Sequence, residues 1–155
     1  MEKISTDDIA NLNTVWELPK NKKPIVIIGA GGIVSDAHLP AYKKANFPVR
    51  GIYDPDVEKA KKCAENYSIE KIYSSEEEAL AEKDVVFDIA VPPQVLLSIV
   101  EKIPAESVCQ LQKPMGNSME EAKKIRDIIH EKKITACVNL QLKFSPMMIA
   151  LKEAI

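Results

Sequence analysis

The sequence is short of the residues that most often announce a metal or redox site. Its 155 residues hold two histidines, His38 and His130, and three cysteines, Cys63, Cys109 and Cys137. No pair of them has metal-ligand spacing, so no metal site is expected. The odd cysteine count reads as buried, reduced thiols in a cytoplasmic protein, and no nearby histidine supports a catalytic cysteine. Basic charge is not in excess: the formal net charge is −2, and lysine and glutamate are spread along the chain. No basic stripe marks a nucleic-acid surface. No apolar run approaches a membrane span. The acidic, polar start MEKISTDDIANLNTVWELPK does not read as a signal peptide.

What is present is an alternation of strand and helix signals. The continuous apolar run 25–28 reads as a buried strand, and the stretches 49–53, 71–73, 85–91, 107–111 and 134–142 read as further strands. Helices are expected at roughly 32–46 (interrupted near Pro40), 55–67, from Ser75, 94–103, 118–133 and 145–155. Pro55 and Pro146 suit first helical positions. Ser75 and Ser118 suit N-caps, with Glu121 completing a capping box. A further short helix is expected near the N-terminus, capped by Ser5 or Thr6, with Ile9, Leu12, Val15 and Trp16 on one face. About five β-α units in series predict an α/β fold with a doubly wound parallel sheet and right-handed crossovers.

The first strand runs into Gly29-Ala30-Gly31-Gly32-Ile33. At the first strand–helix turn of such a sheet, Gly29 allows a tight turn and Gly31 lets a phosphate approach bare backbone. The helix N-terminus adds unpaired N–H groups and partial positive charge. Val34 occupies the place of the usual third small residue, so the cluster alone fits a purely structural turn as well. Asp54 ends the second strand, 20 residues after Val34. A carboxylate there can accept both hydroxyls of an adenosine ribose and repel a 2′-phosphate, which favours NAD(H) over NADP(H). Alternatively, Asp54 caps the helix that begins at Pro55. The fourth strand ends in Val91-Pro92-Pro93-Gln94, and the fifth in Gln112-Lys113-Pro114. Lys113 either polarises a substrate oxygen and exchanges a proton or is a solvated loop lysine. Asp88, inside a strand among apolar neighbours, reads as structural or as a hydrogen-bond partner to a loop.

In this order, the stretches IVIIGAGGIVSDAHLPAY, GIYDPD, DIAVPP, QKPMGNSMEEAKKI and VNLQLKFSPMMIALKEAI resemble the Gfo/Idh/MocA oxidoreductases, the family of glucose–fructose oxidoreductase and inositol 2-dehydrogenase. The resemblance runs from Pro24 to Ile155. It implies a Rossmann domain at 24–144, preceded by a helix and linker at 1–23. It also implies that residues 145–155 begin a helix crossing toward a substrate domain. Members oxidise or reduce sugars, polyols and cyclitols with NAD or NADP.

The resemblance assigns Gly29, Ala30, Gly31, Gly32 and Ile33 to the pyrophosphate turn and Asp54 to the ribose. It assigns Val91, Pro92, Pro93 and Gln94 to the nicotinamide side, Lys113 to substrate contact and proton transfer, and His38 to structure. Gln112 replaces the motif's glutamate, Gln94 stands in a loop that usually offers His or Asn, and Gln141 and Lys143 replace Asn and Arg. The expected partners are a dinucleotide, a sugar-like small molecule if a second domain completes the site, and a second copy through exposed Met147, Met148, Ile149 and Leu151. The alternatives are a non-catalytic nucleotide-binding or assembly module, or a scaffold for an adenine-containing methyl donor.

Overall fold

The computed structural model describes residue 12 and residues 14–154. The expected N-terminal helix lies mostly outside these residues; 14–19, which include Val15 and Trp16, have no regular structure. The described residues fall into two units, 21–139 and the remainder. In the smaller unit, a 3-10 turn at Gln141–Phe144 precedes a helix at Pro146–Ala154. The Trp16 ring meets Phe144 edge-on, with centroids 5.3 Å apart.

The larger unit is built on six parallel strands: β1 Ile25–Ile28, β2 Val49–Tyr53, β3 Lys71–Ile72, β4 Val86–Ile89, β5 Val108–Leu111 and β6 Thr135–Val138. Their order is β3-β2-β1-β4-β5-β6. The chain therefore winds outward from β1 in one direction and from β4 in the other. Ile28 pairs with Tyr53 and Ile89, and Ile89 with Leu111, so these four strands end level. β4 is shorter than the expected 85–91, although the Ala90 N–H still donates to the Ile28 carbonyl.

Between the strands lie α1 Leu39–Lys44, α2 Val57–Tyr67, α3 Glu76–Leu80, α4 Pro93–Lys102 and α5 Met119–Glu131. A wide π-helical turn, Val34–His38, leads into α1. The expected interruption near Pro40 is thus displaced upstream. Val34 is fully buried in the same apolar cluster as Ile27, Leu39 and Ala90. α2 begins at Val57 rather than Pro55, because Asp56 is extended and its side chain accepts from the Lys59 N–H.

Two apolar clusters form the core. One holds Ile25, Ile27, Ile52, Ala60, Cys63 and Ala64; the other holds Phe87, Ile89, Leu96, Val100, Leu111 and Ile125. Helices thus cover both sheet faces, as the alternation predicts. The serine caps form as expected: Ser75 Oγ accepts from the Glu78 N–H and Ser118 Oγ from the Glu121 N–H. The glutamates reach one residue farther back than a capping box requires. Glu78 Oε2 accepts from the Ser74 N–H and Glu121 Oε2 from the Asn117 N–H.

Candidate functional site

Parallel strands carry every candidate turn to the same sheet edge. Gly29 follows β1, Asp54 follows β2, Pro92 and Pro93 follow β4, and Gln112 and Lys113 follow β5. Because β1 and β4 are neighbours wound in opposite directions, a crevice opens between their connections.

Gly29 has φ +107°, and a Cβ there would lie 2.4 Å from the Ala90 carbonyl oxygen. Only glycine allows β1 to turn this close to β4. The Gly29 N–H donates to the Tyr53 carbonyl at 2.7 Å, and the Ala90 N–H donates to the Ile28 carbonyl at 2.8 Å. The turn is therefore tied to both neighbouring strands. At Gly31 a Cβ would meet nothing within 4 Å. The Val34 and Ser35 N–H groups both donate to the Gly31 carbonyl, which starts the helical turn immediately beyond.

Asp54 joins this turn to β2. Its Oδ2 accepts from the Ala30 N–H at 2.6 Å and its Oδ1 from the Asp56 N–H at 2.8 Å. The alternative N-cap role falls to Asp56 instead, since Asp54 lies two residues too early. Each Asp54 oxygen spends one lone pair in this way, and a carboxylate has about four acceptor sites in all. The remaining two match a pair of vicinal hydroxyls.

A cavity of about 480 Å³ adjoins the turn. This lies within the roughly 300–1,000 Å³ of small-molecule sites. Of the candidate residues it brings together Gly29, Gly31, Asp54, Val91 and Pro92. Ala30, Gly32, Ile33, Pro93, Gln94, Gln112 and Lys113 do not line it. Gln112 and Lys113 occupy the β5 side of the crevice, where Lys113 is exposed.

The sequence reading missed Tyr53, Lys59, Glu76 and Ser98 in the cavity wall. Lys102 Nζ holds Glu76 Oε1 at 2.8 Å. Burial pushes the Tyr53 phenol above its ordinary range, and the carboxylates of Glu76, Glu77 and Asp54 add to that. Ser98 was recoverable from helical spacing, since it lies three residues after Val95 on α4. Glu76 was not, because a glutamate opening a helix looks the same whether or not a cavity lies beside it.

The residues fit a dinucleotide. Open space stands where Gly31 lacks a side chain, a paired acid has acceptors to spare, and a mostly apolar, partly open cavity lies next to both. Among the described residues no cluster of His, Cys, Asp and Glu could hold a metal ion, and no helix is long and apolar enough to cross a membrane.

A doubly wound sheet with a glycine turn and an acid at its switch point defines a dinucleotide-binding α/β protein. Residues 23–140 match the Gfo/Idh/MocA model, described as an oxidoreductase family with an NAD-binding Rossmann fold, and the chain belongs to that family. Curated protein sequences provide no match. Among solved structures, UDP-N-acetylglucosamine 3-dehydrogenase GnnA from Acidithiobacillus ferrooxidans is similar with a TM-score of 0.73 at 20% identity, over 86% of this chain and 43% of that one. An oxidoreductase from Agrobacterium radiobacter, in complex with NAD+, L-tartaric acid and magnesium, has a TM-score of 0.69 at 22% identity, over 79% and 36%. A super-repressor mutant of Gal80p from Saccharomyces cerevisiae has a TM-score of 0.75 at 17% identity, over 87% and 38%. At these identities the likeness is one of fold. The chain spans about two-fifths of the length of these structures.

Proposed function

We propose that the chain is the cofactor-binding part of an oxidoreductase that moves a hydride between a nicotinamide and a sugar, polyol or cyclitol. The pyrophosphate rests on residues 29–33, over Gly31, against the first N–H groups of the helical turn. The adenosine ribose gives its two hydroxyls to the free acceptors of Asp54, and the adenosine enters the cavity beside Tyr53 and Pro92. NAD(H) is preferred to NADP(H), because a 2′-phosphate would be held against the Asp54 carboxylate.

Val91, Pro92, Pro93 and Gln94 border the nicotinamide half from β4, and Gln112 and Lys113 border it from β5. Bound there, the nicotinamide supplies the hydride acceptor or donor. On reduction the Lys113 ammonium donates to the carbonyl oxygen and gives it a proton as hydride reaches the carbon; on oxidation the neutral Lys113 amine accepts the hydroxyl proton as hydride leaves. A second domain closes the open face and excludes water. Residues 145–154 lead toward that domain, and Met147, Met148, Ile149 and Leu151 give the helix an apolar surface for it or for a second copy.

The observation that carries this reading is the Asp54 carboxylate, bonded to the Ala30 N–H at 2.6 Å beside a glycine that faces open space. Calorimetric titration with NADH tests it. The expected result is saturable binding, tighter for NADH than NADPH, that is weakened in Asp54→Ala. Affinity no better than millimolar, unchanged by that substitution, would remove the cofactor reading.

A second reading, a non-catalytic nucleotide-binding module, draws support from Gln112. An amide there cannot supply the carboxylate of the family's motif. Growth of the NADH absorbance band on mixing the chain, its completing domain, NAD and candidate polyols separates the two readings.

A further inference from the structure

The larger unit contains one feature that dinucleotide binding does not use. Asp88 sits in the middle of β4, 1% exposed, and His38, 6% exposed, closes the π-helical turn above it. Asp88 Oδ2 lies 2.6 Å from His38 Nδ1 and also accepts from the Tyr42 hydroxyl at 2.8 Å. Asp88 Oδ1 accepts from Gln110 Nε2 at 3.4 Å. On the other side of the ring, His38 Nε2 faces Gln112 Nε2 at 2.7 Å and Asn139 Nδ2 at 3.3 Å.

Such a cluster is costly at the centre of a sheet unless each member is satisfied, and apolar residues of the same size would fill the space at least as stably. Its members come from the helical segment after β1, from β4, from β5 and from the end of β6. Gln112, which follows β5, and Asn139, which follows β6, are the half-buried members at the strand ends. The bond directions follow from chemistry. The Tyr42 hydroxyl and the Gln110 amide both donate to Asp88, which is the pattern of a carboxylate, and a carboxylate only accepts. Nδ1 therefore carries its hydrogen. In a neutral ring Nε2 is then an acceptor with one lone pair, which takes the nearer Gln112 NH2 at 2.7 Å, while the Asn139 NH2 stands off at 3.3 Å.

That tautomer decides which end of Gln112 is left over. With its NH2 held by His38, Gln112 has its carbonyl oxygen to offer. With the hydrogen on Nε2, the ring would take the carbonyl and leave the NH2. We propose that Asp88 and His38 are positioning residues that present the Gln112 carbonyl as an acceptor to the nicotinamide half of a bound dinucleotide, to a carboxamide N–H or a ribose hydroxyl. This rests on the cofactor reading above. Where the resemblance puts a glutamate this chain has Gln112, and the carboxylate of the cluster is Asp88, on the opposite nitrogen of the His38 ring. The arrangement keeps an acceptor at the crevice without placing a charge there.

Two measurements test this on the intact chain. Long-range 1H–15N correlation of the imidazole reads the tautomer without any substitution. A protonated Nδ1 with an unprotonated Nε2 is expected, and a hydrogen on Nε2 overturns the proposal. The second measurement compares affinities for NADH and for ADP, which has the adenosine and diphosphate but no nicotinamide half. Gln112→Ala, and separately the double variant His38→Phe with Asp88→Leu, should each weaken NADH about 2- to 10-fold, the worth of one hydrogen bond. ADP binding should stay within about 2-fold of wild type by the same measure.

If the double variant leaves the NADH-to-ADP ratio unchanged, the pair is structural only and the proposal falls. Should the double variant fail to fold, an unchanged ratio in Gln112→Ala refutes the proposal equally. A wild-type chain that binds neither ligand refutes the cofactor reading itself. Binding of both ligands with the wrong tautomer refutes the positioning role alone.

Discussion

Two glycines two residues apart give opposite expectations for the same substitution. In Gly29→Ala the new methyl would lie 2.4 Å from the oxygen and 2.9 Å from the carbon of the Ala90 carbonyl, at φ +107°. Neither atom can swing aside, since Ala90 is bonded through its N–H to Ile28 and Gly29 through its N–H to Tyr53. Relief requires β1 and β4 to separate at their ends. A strained left-handed residue costs about 1–3 kcal/mol, and overpacking adds about 1–3 kcal/mol. For a chain of this size that total lowers Tm by roughly 10 °C. In Gly31→Ala the methyl meets nothing within 4 Å, and Gly31 has no positive φ. Stability should hold or rise by about 0.4–1 kcal/mol, because alanine restricts the unfolded chain. The methyl does occupy the space assigned to a phosphate, so NADH affinity should fall about 10-fold or more, at least ~1.4 kcal/mol. Thermal melts and a fluorescence titration with NADH on both variants check the pair. A Gly31→Ala variant that melts as low as Gly29→Ala, or that binds NADH like wild type, refutes the reasoning.

Asp54→Asn should weaken NADH about 10-fold and narrow the preference over NADPH, because an amide cannot accept from both the Ala30 and Asp56 N–H groups and lacks the charge; equal titrations for wild type and variant would contradict this. Burial pushes the Cys109 thiol up to about 12, whereas Cys137 is exposed. Iodoacetamide at pH 8, read by peptide mass, should therefore label Cys137 first, and early labelling of Cys109 would count against the packing described. Glu82 bonds Lys71 at 2.9 Å, Tyr73 at 3.1 Å and Arg50 at 3.2 Å, and Lys71 foremost holds its carboxyl below the ordinary range. A lowered carboxyl stabilises the fold above its unfolded value of about 4.3, and the gain is lost as pH falls through the folded value. Glu82→Gln should thus lower Tm by about 1–3 °C at pH 7, and the gap should narrow steadily as pH falls below about 4.3; a gap that does not narrow in acid is not ionic.

These predictions draw on two kinds of information, and the sequence carries them unequally. Caps, turns and strand cores are short-range: Ser75, Ser118 and the run Ile25–Ile28 declare themselves within a few residues, and each forms as read. The cap at Asp56 rather than Asp54 is also local, but two acids flank Pro55 and only backbone geometry chooses between them. Choosing Asp56 leaves Asp54 available to the glycine turn, 24 residues away in sequence. His38 and Asp88 lie beyond any such signal. They are 50 residues apart; Asp88 alone reads as a polar residue among apolar ones, and His38 as one of several polar residues after the glycine turn. What joins them is the β1–β4 adjacency, because β2 and β3, which intervene in sequence, lie on the far side of β1. The same adjacency opens the crevice. A buried pair that depends on strand order, and whose chain of hydrogen bonds leaves the core at that crevice, is therefore more informative about the site than the glycine cluster. The cluster fits any tight turn, whereas the pair forms only in the winding that makes the site.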